Sequence, residues 1–246
     1  MNSELPPILG HRGFRGRLEN TMPAFRRALE YADGIEFDVR LTGDGRLVAY
    51  HEDSFQANGS WYRLKELSLR ELRRLHPLGS LIPTVGEVLQ KFPGVLLNVD
   101  VKETDAVEKT IELVGRHKAL GKAVFSSESS KIVQAIIREC PDCRAGFSIV
   151  GYSSLWWIPK LDGLYSIHVP IDAVTYIGYR PLVVLLRVLR KRGLKIYLWN
   201  YQMDELRWIP RFLSSADVII SDDPARLRKS FYAKGVLNEG DSHVGT

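Results

Sequence analysis

The chain has 246 residues, a net charge of +5 and a hydrophobic share of 45%, and 26% of its residues are charged. Its length fits one large domain or two small ones, because domains commonly have ~100–200 residues and α/β barrels reach ~250. This composition argues against a disordered chain. The chain has only two cysteines, too few for a disulfide-rich secreted scaffold. It shows no signal-peptide pattern and no apolar run of ~18 residues, so we expect a cytoplasmic protein.

Short β-branched runs alternate with longer amphipathic runs from one end of the chain to the other. The predicted strands are residues 8–11, 35–41, 96–101, 123–126, 145–149, 164–169, 195–199 and 217–221. Helix signals lie between most of them: Thr21 with Pro23, the capping boxes Ser68–Glu71 and Thr84–Glu87, Pro181 with Gly193, and Pro224 with Gly235.

Strands that alternate with helices predict βαβ units and a parallel sheet. Eight such units in a chain of this length predict a TIM (β/α)8 barrel, formed as a single domain by residues 1–246. A doubly wound open sheet is the alternative, but it usually has a glycine-rich phosphate loop after its first strand. Here that position reads Gly10-His11-Arg12-Gly13, which does not match such a loop.

A short turn after the second strand breaks the regular alternation. Thr42-Gly43-Asp44-Gly45 is followed at once by a β-branched run that ends at His51. A link this short predicts an antiparallel hairpin, because a parallel neighbour needs a longer crossover. We expect the hairpin to return His51 to the region where the second strand began. Residues 53–82 then form a short insertion before the third barrel strand.

Acidic residues interrupt two otherwise apolar strands. Side chains alternate across a strand, so Glu36 and Asp38 share one face, and so do Asp100 and Lys102 on the next barrel strand. Buried like charges repel each other and need a cation or a shared proton. Three inward carboxylates predict an all-oxygen site for Mg²⁺ or Ca²⁺ rather than zinc. A structural ion-pair network with Lys102 is the alternative.

Two histidines and an arginine converge on these carboxylates. His11 and Arg12 end the first strand, and His51 ends the hairpin. Histidine exchanges protons near neutral pH, and the planar fork of arginine matches two phosphate oxygens. The three carboxylates, a divalent cation, Arg12 and Lys102 together leave one net positive charge, which a phosphodiester would neutralise. The pattern therefore favours phosphodiester hydrolysis over sugar or acyl chemistry.

The order and spacing of these elements resemble those of the glycerophosphodiester phosphodiesterase family. The resemblance covers about residues 8–228, and it rests on His11-Arg12-Gly13, Glu19-Asn20-Thr21, Glu36-x-Asp38, His51, Ile82-Pro83-Thr84, Asn98-x-Asp100-x-Lys102, Trp199 and Ser221-Asp222-x-Pro224. It implies a metal-dependent TIM barrel that cleaves small-molecule glycerophosphodiesters to sn-glycerol 3-phosphate and an alcohol, with no nucleic-acid partner.

The resemblance also implies roles for individual residues. His11 and His51 would act as the acid–base pair, and Glu36, Asp38 and Asp100 would bind the metal. The residues implied for phosphate and substrate binding are Arg12, Lys102, Trp199 and Glu19. Some positions depart from the family pattern. Asp100 replaces the usual Glu, as in sphingomyelinase-D-like enzymes that release a cyclic phosphate. Glu52, Ser127-Glu128 and Trp199-Asn200-Tyr201-Gln202 differ in the pocket wall.

Two other hypotheses are compatible with the pattern. One is a lysophospholipase-D-like or sphingomyelinase-D-like enzyme that acts on lysolipids, and the other is a non-catalytic phosphate-binding barrel. A peripheral membrane patch is a further alternative. It would be formed by Leu155, Trp156 and Trp157 and by the basic helix end at Arg187, Arg190, Lys191 and Arg192. A solvated helix end is the simpler interpretation of those basic residues. Oligomeric state is not predicted.

Three features are expected to have no catalytic role. Cys140 and Cys143 lack a second ligand pair for zinc, so we expect two reduced thiols in a loop. Structural or surface roles suffice for the other histidines, which are His76, His117, His168 and His243. Asp222 and Asp223 are interpreted as the N-cap region of the last helix.

Overall fold

A computed structural model describes residues 5–202 and 204–233 of the protein. Within these residues the chain forms eleven strands and nine α-helices. The strands are β1 (Ile8–Gly10), β2 (Gly34–Leu41), β3 (Leu47–Ala49), β4 (Ser54–Ala57), β5 (Ser60–Arg63), β6 (Leu96–Val101), β7 (Ala123–Ser127), β8 (Arg144–Ser148), β9 (Leu164–Pro170), β10 (Lys195–Trp199) and β11 (Val218–Ser221). The helices are α1 (Met22–Ala28), α2 (Leu69–Leu75), α3 (Val85–Lys91), α4 (Val107–Arg116), α5 (Ser130–Glu139), α6 (Ala173–Ile177), α7 (Tyr179–Lys191), α8 (Glu205–Phe212) and α9 (Pro224–Ala233).

Parallel strands close into a barrel in the order β1-β2-β6-β7-β8-β9-β10-β11. Closure is made by β1, which pairs in parallel with both β2 and β11. Helices lie between most successive strands. A pair of short 3-10 helices, Tyr152–Trp156 and Ile158–Lys160, replaces the helix between β8 and β9. The predicted TIM barrel is therefore confirmed, and the open doubly wound sheet is excluded by the β1–β2 pairing.

Alternation along β2 sorts its side chains between two environments. Ile35, Phe37 and Val39 are fully buried in the main apolar cluster, which packs the outside of the sheet against the helices. Glu36 and Asp38 face the opposite way, into the barrel. A smaller cluster that includes Leu9, Val124, Tyr197, Val218 and Ile220 fills the barrel interior below them. The barrel is thus a packed core whose polar residues lie at one end.

Local helix signals act as the sequence predicts. The Thr21 hydroxyl accepts a hydrogen bond at the start of α1, and both capping boxes, at Ser68 and Thr84, form. Helix α7 begins at Tyr179, two residues before the predicted start at Pro181. Pro181 therefore lies in the first turn of the helix, where proline is tolerated. The predicted end of the last helix at Gly235 lies outside the described residues.

The predicted hairpin forms, but it is shorter than expected. Strand β3 pairs with β2 only from Leu41 to Val39, and the Tyr50 N–H donates to the Asp38 carbonyl. His51 therefore returns beside the middle of β2 and not to its beginning. The reason is that the chain turns away into β4 and β5 as soon as three residue pairs have formed. This position keeps His51 at the mouth of the barrel.

The insertion at residues 53–82 has an apolar cluster of its own. The hairpin of β4 and β5, helix α2 and the segment before α3 pack around Phe55, Leu64, Leu72 and Ile82. Val48 of strand β3 belongs to the same cluster. The insertion is thus anchored on the hairpin that delivers His51.

The expectation of two reduced thiols is wrong. Cys140 and Cys143 form a disulfide across the turn between α5 and β8, where their Cα atoms are 5.3 Å apart. The turn that ends α5 brings the two thiols together, which spacing alone left open.

Among the described residues, no helix is long and apolar enough to span a membrane. The cytoplasmic location stays a prediction.

Candidate active site

The predicted site residues meet at the end of the barrel where the parallel strands terminate. A cavity of about 80 Å³ opens there, and it is lined by eight of them: His11, Arg12, Glu36, Asp38, His51, Asp100, Lys102 and Trp199. Glu19 lines a neighbouring pocket of about 220 Å³, which also includes His51. Loops at this end of a TIM barrel carry the catalytic residues in characterised enzymes of this fold.

The three carboxylates of Glu36, Asp38 and Asp100 form one buried cluster. One oxygen from each lies within 4.8 Å of the others. The register of the sheet explains this, because Asp38 on β2 lies directly opposite Asp100 on β6. Ser126, the register partner of Asp100 on β7, donates its hydroxyl to Oδ1 of Asp100 at 2.9 Å. The register therefore places Asp38 and Asp100 at one level of the barrel, and Glu36 lies two residues earlier on β2, opposite Asn98.

Two basic side chains compensate this negative charge. Lys102 Nζ lies 3.0 Å from Oδ1 of Asp38 and also contacts Asp100. Arg12 Nε lies 3.1 Å from Oδ2 of Asp38, which also accepts the amide N–H of Asn20 at 2.8 Å. Burial would raise the pKa of Asp38, but Lys102 and Arg12 outweigh it and hold this pKa well below its usual value. Asp38 is therefore an ionised carboxylate.

The pKa of Glu36 shifts in the opposite direction from that of Asp38. Burial and the charges of Asp38 and Asp100 raise its pKa well above the usual range, and the charge and backbone N–H of Arg12 only partly oppose this. The Arg12 N–H donates to Oε2 of Glu36 at 2.7 Å. A carboxylate group crowded in this way is stabilised by a cation. The donor set, three carboxylates with no sulfur or imidazole, fits a hard divalent ion such as Mg²⁺ or Ca²⁺.

The loop after β1 aims the Arg12 side chain and its backbone at different carboxylates. Arg12 has a φ of 50°, in the left-handed region that residues other than glycine rarely adopt. Its N–H reaches Glu36, its carbonyl accepts from the Asn20 N–H at 2.9 Å, and its guanidinium reaches Glu19 at 2.6 Å. Strained backbone of this kind is often found at functional sites. Glu19 thus orients Arg12 from outside the cavity.

His11 is held by the far end of the chain. Its Nδ1 lies 2.5 Å from Oδ1 of Asp222, which follows strand β11. Oδ2 of Asp222 accepts hydrogen bonds from Arg15 at 3.1 Å and from the Asn200 side chain at 3.2 Å. Burial would raise the pKa of Asp222, but the hydrogen bond and charge of His11 and the charge of Arg15 hold this pKa below its usual value. With Nδ1 engaged, the Nε2 side of the imidazole is left for the cavity.

Glu205 at the start of α8 fixes the loop that carries Asp222. Its carboxylate accepts hydrogen bonds from the Ser221 hydroxyl and from the N–H groups of Asp222 and Asp223, at 2.8, 3.0 and 3.2 Å. Burial raises the pKa of Glu205 to about 7, and these hydrogen bonds oppose the shift. Glu205 therefore supports His11 through Asp222.

His51 has a more open environment. Its Nδ1 lies 2.7 Å from Oε1 of Glu52, whose side chain is 70% exposed. The His51 carbonyl accepts from Nε of Arg40 at 2.7 Å, and Arg40 in turn contacts Glu103 at 3.1 Å. The backbone of His51 is thus tied to the barrel, while its imidazole stands between the cavity that the carboxylates line and the neighbouring pocket.

Trp199 lies beside His11, with the two rings edge to face and their centroids 6.3 Å apart. The indole Nε1 is buried and has no hydrogen-bond partner among the described residues. The Tyr201 ring contacts Trp199 at a centroid distance of 4.2 Å. Trp199 therefore lines the cavity, and its role in substrate binding stays a prediction.

Several residues of the site were missed or given other roles in the sequence interpretation. The sequence predicts that Asp222 and Asp223 both belong to the N-cap region of α9. In the structure the Asp223 carboxylate accepts the Arg226 N–H, whereas Asp222 contacts His11. His168 is buried in the cavity wall, stacked on Tyr197 with centroids 4.6 Å apart. A side chain on Gly146 would place its Cβ 2.6 Å from Nε2 of His168, which explains the glycine. His168 lies two residues after Ser166, so the two side chains share the inward face of β9. That spacing is the signal that could have placed His168 in the site.

Similarities to known proteins agree with this geometry. The model of the glycerophosphoryl diester phosphodiesterase family matches residues 11–226. A glycerophosphodiester phosphodiesterase of Caldanaerobacter subterraneus is 29% identical over 241 residues, which cover 89% of this chain and 95% of that protein. Human lysophospholipase D GDPD1 is 26% identical, with 89% and 84% covered. The crystal structure of a Thermotoga maritima glycerophosphodiester phosphodiesterase has a TM-score of 0.77 at 26% identity and covers 92% of this chain and 99% of that one.

Proposed function

The chain belongs to the glycerophosphoryl diester phosphodiesterase family, and we propose that its cavity hydrolyses glycerophosphodiesters to sn-glycerol 3-phosphate and an alcohol with a divalent metal and two histidines. The observation that carries the proposal is that His11 and His51 line the same cavity as the three clustered carboxylates. That cavity, at about 80 Å³, has room for little more than a phosphoryl group.

Glu36, Asp38 and Asp100 would hold the metal. When bound, an Mg²⁺ or Ca²⁺ ion offsets the charge of the phosphoryl oxygens. Arg12 and Lys102 add fixed positive charge on the same side of the site, since both contact Asp38. The buried N–H of Trp199, which has no partner among the described residues, would supply a neutral donor. Together these groups would orient a phosphodiester and stabilise the charge that develops on it.

The two histidines would share the proton transfers. One removes a proton from the attacking water, and the other protonates the departing alkoxide. His51 borders the second pocket as well as the catalytic cavity, so an alcohol that leaves into that pocket passes His51. We therefore assign His51 as the general acid and His11, paired with Asp222, as the general base. The carboxylate of Asp222 stabilises the imidazolium that forms when His11 takes the proton.

The test is turnover of glycerophosphocholine, with products identified by phosphorus NMR. We expect glycerol phosphate to form, EDTA to abolish turnover, and Mg²⁺ or Ca²⁺ to restore it. His11→Ala and His51→Ala should each lower kcat at least about 100-fold, since general acid–base catalysis contributes that much. His117→Ala, at an exposed position outside the cavity, is the control.

Other results would contradict the proposal in recognisable ways. Turnover that is insensitive to EDTA would exclude the metal assignment. A cyclic phosphate product would identify the substrate's own hydroxyl as the nucleophile, which the sphingomyelinase-D-like hypothesis predicts. Phosphate binding without any turnover would favour the non-catalytic barrel.

A further inference from the structure

A neutral hydrogen-bond donor engages one oxygen of each carboxylate in the cluster. The three donor–acceptor pairs, at 2.7, 2.8 and 2.9 Å, are the Arg12 backbone N–H with Oε2 of Glu36, the Asn20 side-chain amide with Oδ2 of Asp38, and the Ser126 hydroxyl with Oδ1 of Asp100. Two of these donors belong to the loop after β1, whereas Ser126 lies on β7, in the wall of the barrel. The position of the Ser126 donor is therefore set by the sheet itself.

The Ser126 hydroxyl draws Oδ1 of Asp100 away from the other two carboxylates. Strand β6, which carries Asp100, lies between β7 on one side and β2 on the other. Ser126 is on β7, while Glu36 and Asp38 are on β2. The other oxygen of Asp100, Oδ2, contacts Lys102 Nζ, which also lies 3.0 Å from Oδ1 of Asp38. Asp100 therefore presents Oδ2 to the cluster, and not both of its oxygens.

The hydrogen bond from Ser126 fixes an orientation that an aspartate side chain does not fix by itself. The χ2 torsion, which turns the carboxylate, has a broad distribution, so contacts decide its angle. Ligation of an ion through both oxygens of Asp100 requires Oδ1 to turn toward β2, and that turn breaks the bond to Ser126. A buried polar group that loses its partner costs free energy. Ser126 therefore holds Asp100 to ligation through one oxygen.

Asn98 sets the direction of the Ser126 hydroxyl. The Asn98 Nδ2 donates to Oγ of Ser126 at 3.1 Å. A serine hydroxyl carries one proton, and because Oγ accepts from Asn98, that proton is left for Asp100. Asn98 is 1% exposed and Ser126 is fully buried. The chain of donors thus runs in one direction, from Asn98 through Ser126 to Asp100.

The other end of the Asn98 amide is a buried acceptor. Its Oδ1 has no hydrogen-bond partner among the described residues, and Asn98 lines the cavity that contains the carboxylates. A buried acceptor needs a donor, and the water of a hydrated cation is such a donor. Mg²⁺ gives up its waters reluctantly and usually keeps several of them when it binds to a protein. The acceptor therefore suits an ion that stays partly hydrated.

We propose that Ser126, directed by Asn98, is a positioning residue that holds Asp100 to one-oxygen ligation and so shifts the selectivity of the carboxylate cluster from Ca²⁺ toward Mg²⁺. Ca²⁺ accepts carboxylates through two oxygens in flexible geometry, whereas Mg²⁺ requires a near-ideal octahedron. A carboxylate fixed to one oxygen thus removes an option that only Ca²⁺ uses. The inference rests on the proposed metal-dependent function and names the cation that the same site prefers.

The test is calorimetric titration of the substrate-free protein with MgCl2 and, separately, with CaCl2. Ser126→Ala should weaken Mg²⁺ binding about 10-fold or more, as the loss of a residue that orients a metal ligand usually does. Ca²⁺ binding should weaken by less than about 3-fold, because the released carboxylate can offer both oxygens. The ratio of the two Kd values should therefore shift toward Ca²⁺ by at least about 3-fold. Asn98→Ala should shift it in the same direction.

Ser127→Ala is the matched control. Ser127 is the next residue on the same strand and is 1% exposed, but its hydroxyl donates to the Val101 carbonyl at 2.8 Å and it does not line the cavity. This variant loses a buried serine hydroxyl and its hydrogen bond, as Ser126→Ala does, and should keep the Kd ratio of the wild type. The Tm of each variant in EDTA shows whether it is folded.

The outcomes separate this inference from the function on which it rests. If the wild type binds both ions and Ser126→Ala has the same Kd ratio, the inference is wrong and the metal site stands. An equal shift in Ser127→Ala also overturns it, and an unchanged ratio in Asn98→Ala shows that the role assigned to Asn98 is wrong. If the wild type binds neither Mg²⁺ nor Ca²⁺, the proposed metal-dependent function itself fails.

Discussion

Nδ1 of His11 lies 2.5 Å from Oδ1 of Asp222, although 211 residues separate them in the chain. Barrel closure makes this contact, since β1 and β11 pair in parallel from Ile8 to Gly10. The equivalent partner of His51 is Glu52, its immediate neighbour in sequence. The side chain of Asp222 is 24% exposed and that of Glu52 is 70% exposed, so the two histidines depend on their carboxylates to different degrees.

Asp222→Asn should therefore impair catalysis much more than Glu52→Gln. The amide can no longer stabilise a positively charged His11, and we expect kcat to fall on the order of 100-fold. Glu52 is solvated, so its loss should change kcat by less than about 10-fold. Steady-state turnover of glycerophosphocholine measures both. Equal losses in the two variants would show that the Asp222 contact has no special role.

Metal binding should stabilise the folded protein. Mg²⁺ or Ca²⁺ relieves the repulsion among Glu36, Asp38 and Asp100, so saturating metal should raise the Tm by several degrees. Asp100→Asn should weaken the metal affinity at least about 10-fold. Calorimetric titration and thermal unfolding measure the two effects. Glu128→Gln is the control, because Glu128 lines the same cavity but lies outside the carboxylate cluster.

His168 should make the protein less stable in mild acid. Burial lowers its pKa to about 3, whereas in the unfolded chain it is near 6.5. As the pH falls below about 6.5, His168 becomes protonated in the unfolded state but stays neutral in the folded state. The free energy of unfolding therefore decreases by about 2 kcal/mol by pH 5. Urea unfolding at pH 7 and pH 5 measures this loss. His168→Gln should show a smaller difference between the two pH values, and an unchanged difference would refute the assignment.

The disulfide between Cys140 and Cys143 should have a small effect. It closes a loop of only four residues, so its removal should lower the free energy of unfolding by no more than about 2 kcal/mol. The turn precedes β8, at the end of the barrel opposite the catalytic cavity, so kcat should not change. Denaturant unfolding and turnover of the Cys140→Ser/Cys143→Ser double variant measure these effects, with the reduced wild type as control.

The fold was predictable because its determinants are local. Short β-branched runs predicted the eight barrel strands, and the alternation of side chains along a strand predicted that Glu36 and Asp38 share a face. The register that sets Asp38 opposite Asp100 is a property of two strands about sixty residues apart, and strand periodicity does not contain it. The length of the hairpin could not be predicted either. The turn at residues 42–45 starts the pairing of β2 and β3, but it is the insertion that ends it, because the chain leaves β3 to enter β4 and β5.

The supporting residues of the site were harder to predict than the residues that line it. Asp222 has an adequate local interpretation near the start of α9, which hides its contact with His11. Glu205 lies in an ordinary helix start, and only the folded chain brings its carboxylate to Ser221. His168 looks like an isolated polar residue in an apolar strand. In each case the partner is distant in sequence, so no short motif records the contact.

The apolar cluster of the insertion includes Val48, three residues before His51. His11, by contrast, depends on barrel closure at β1 and β11. The two histidines proposed for proton transfer are therefore supported by different parts of the fold, and small parts of a fold can open locally without global unfolding. A transient opening of the insertion would displace His51 and leave the carboxylates, Arg12 and Lys102 in place. Such an opened molecule would retain bound substrate without turning it over, so changes in the insertion core can tune kcat independently of affinity.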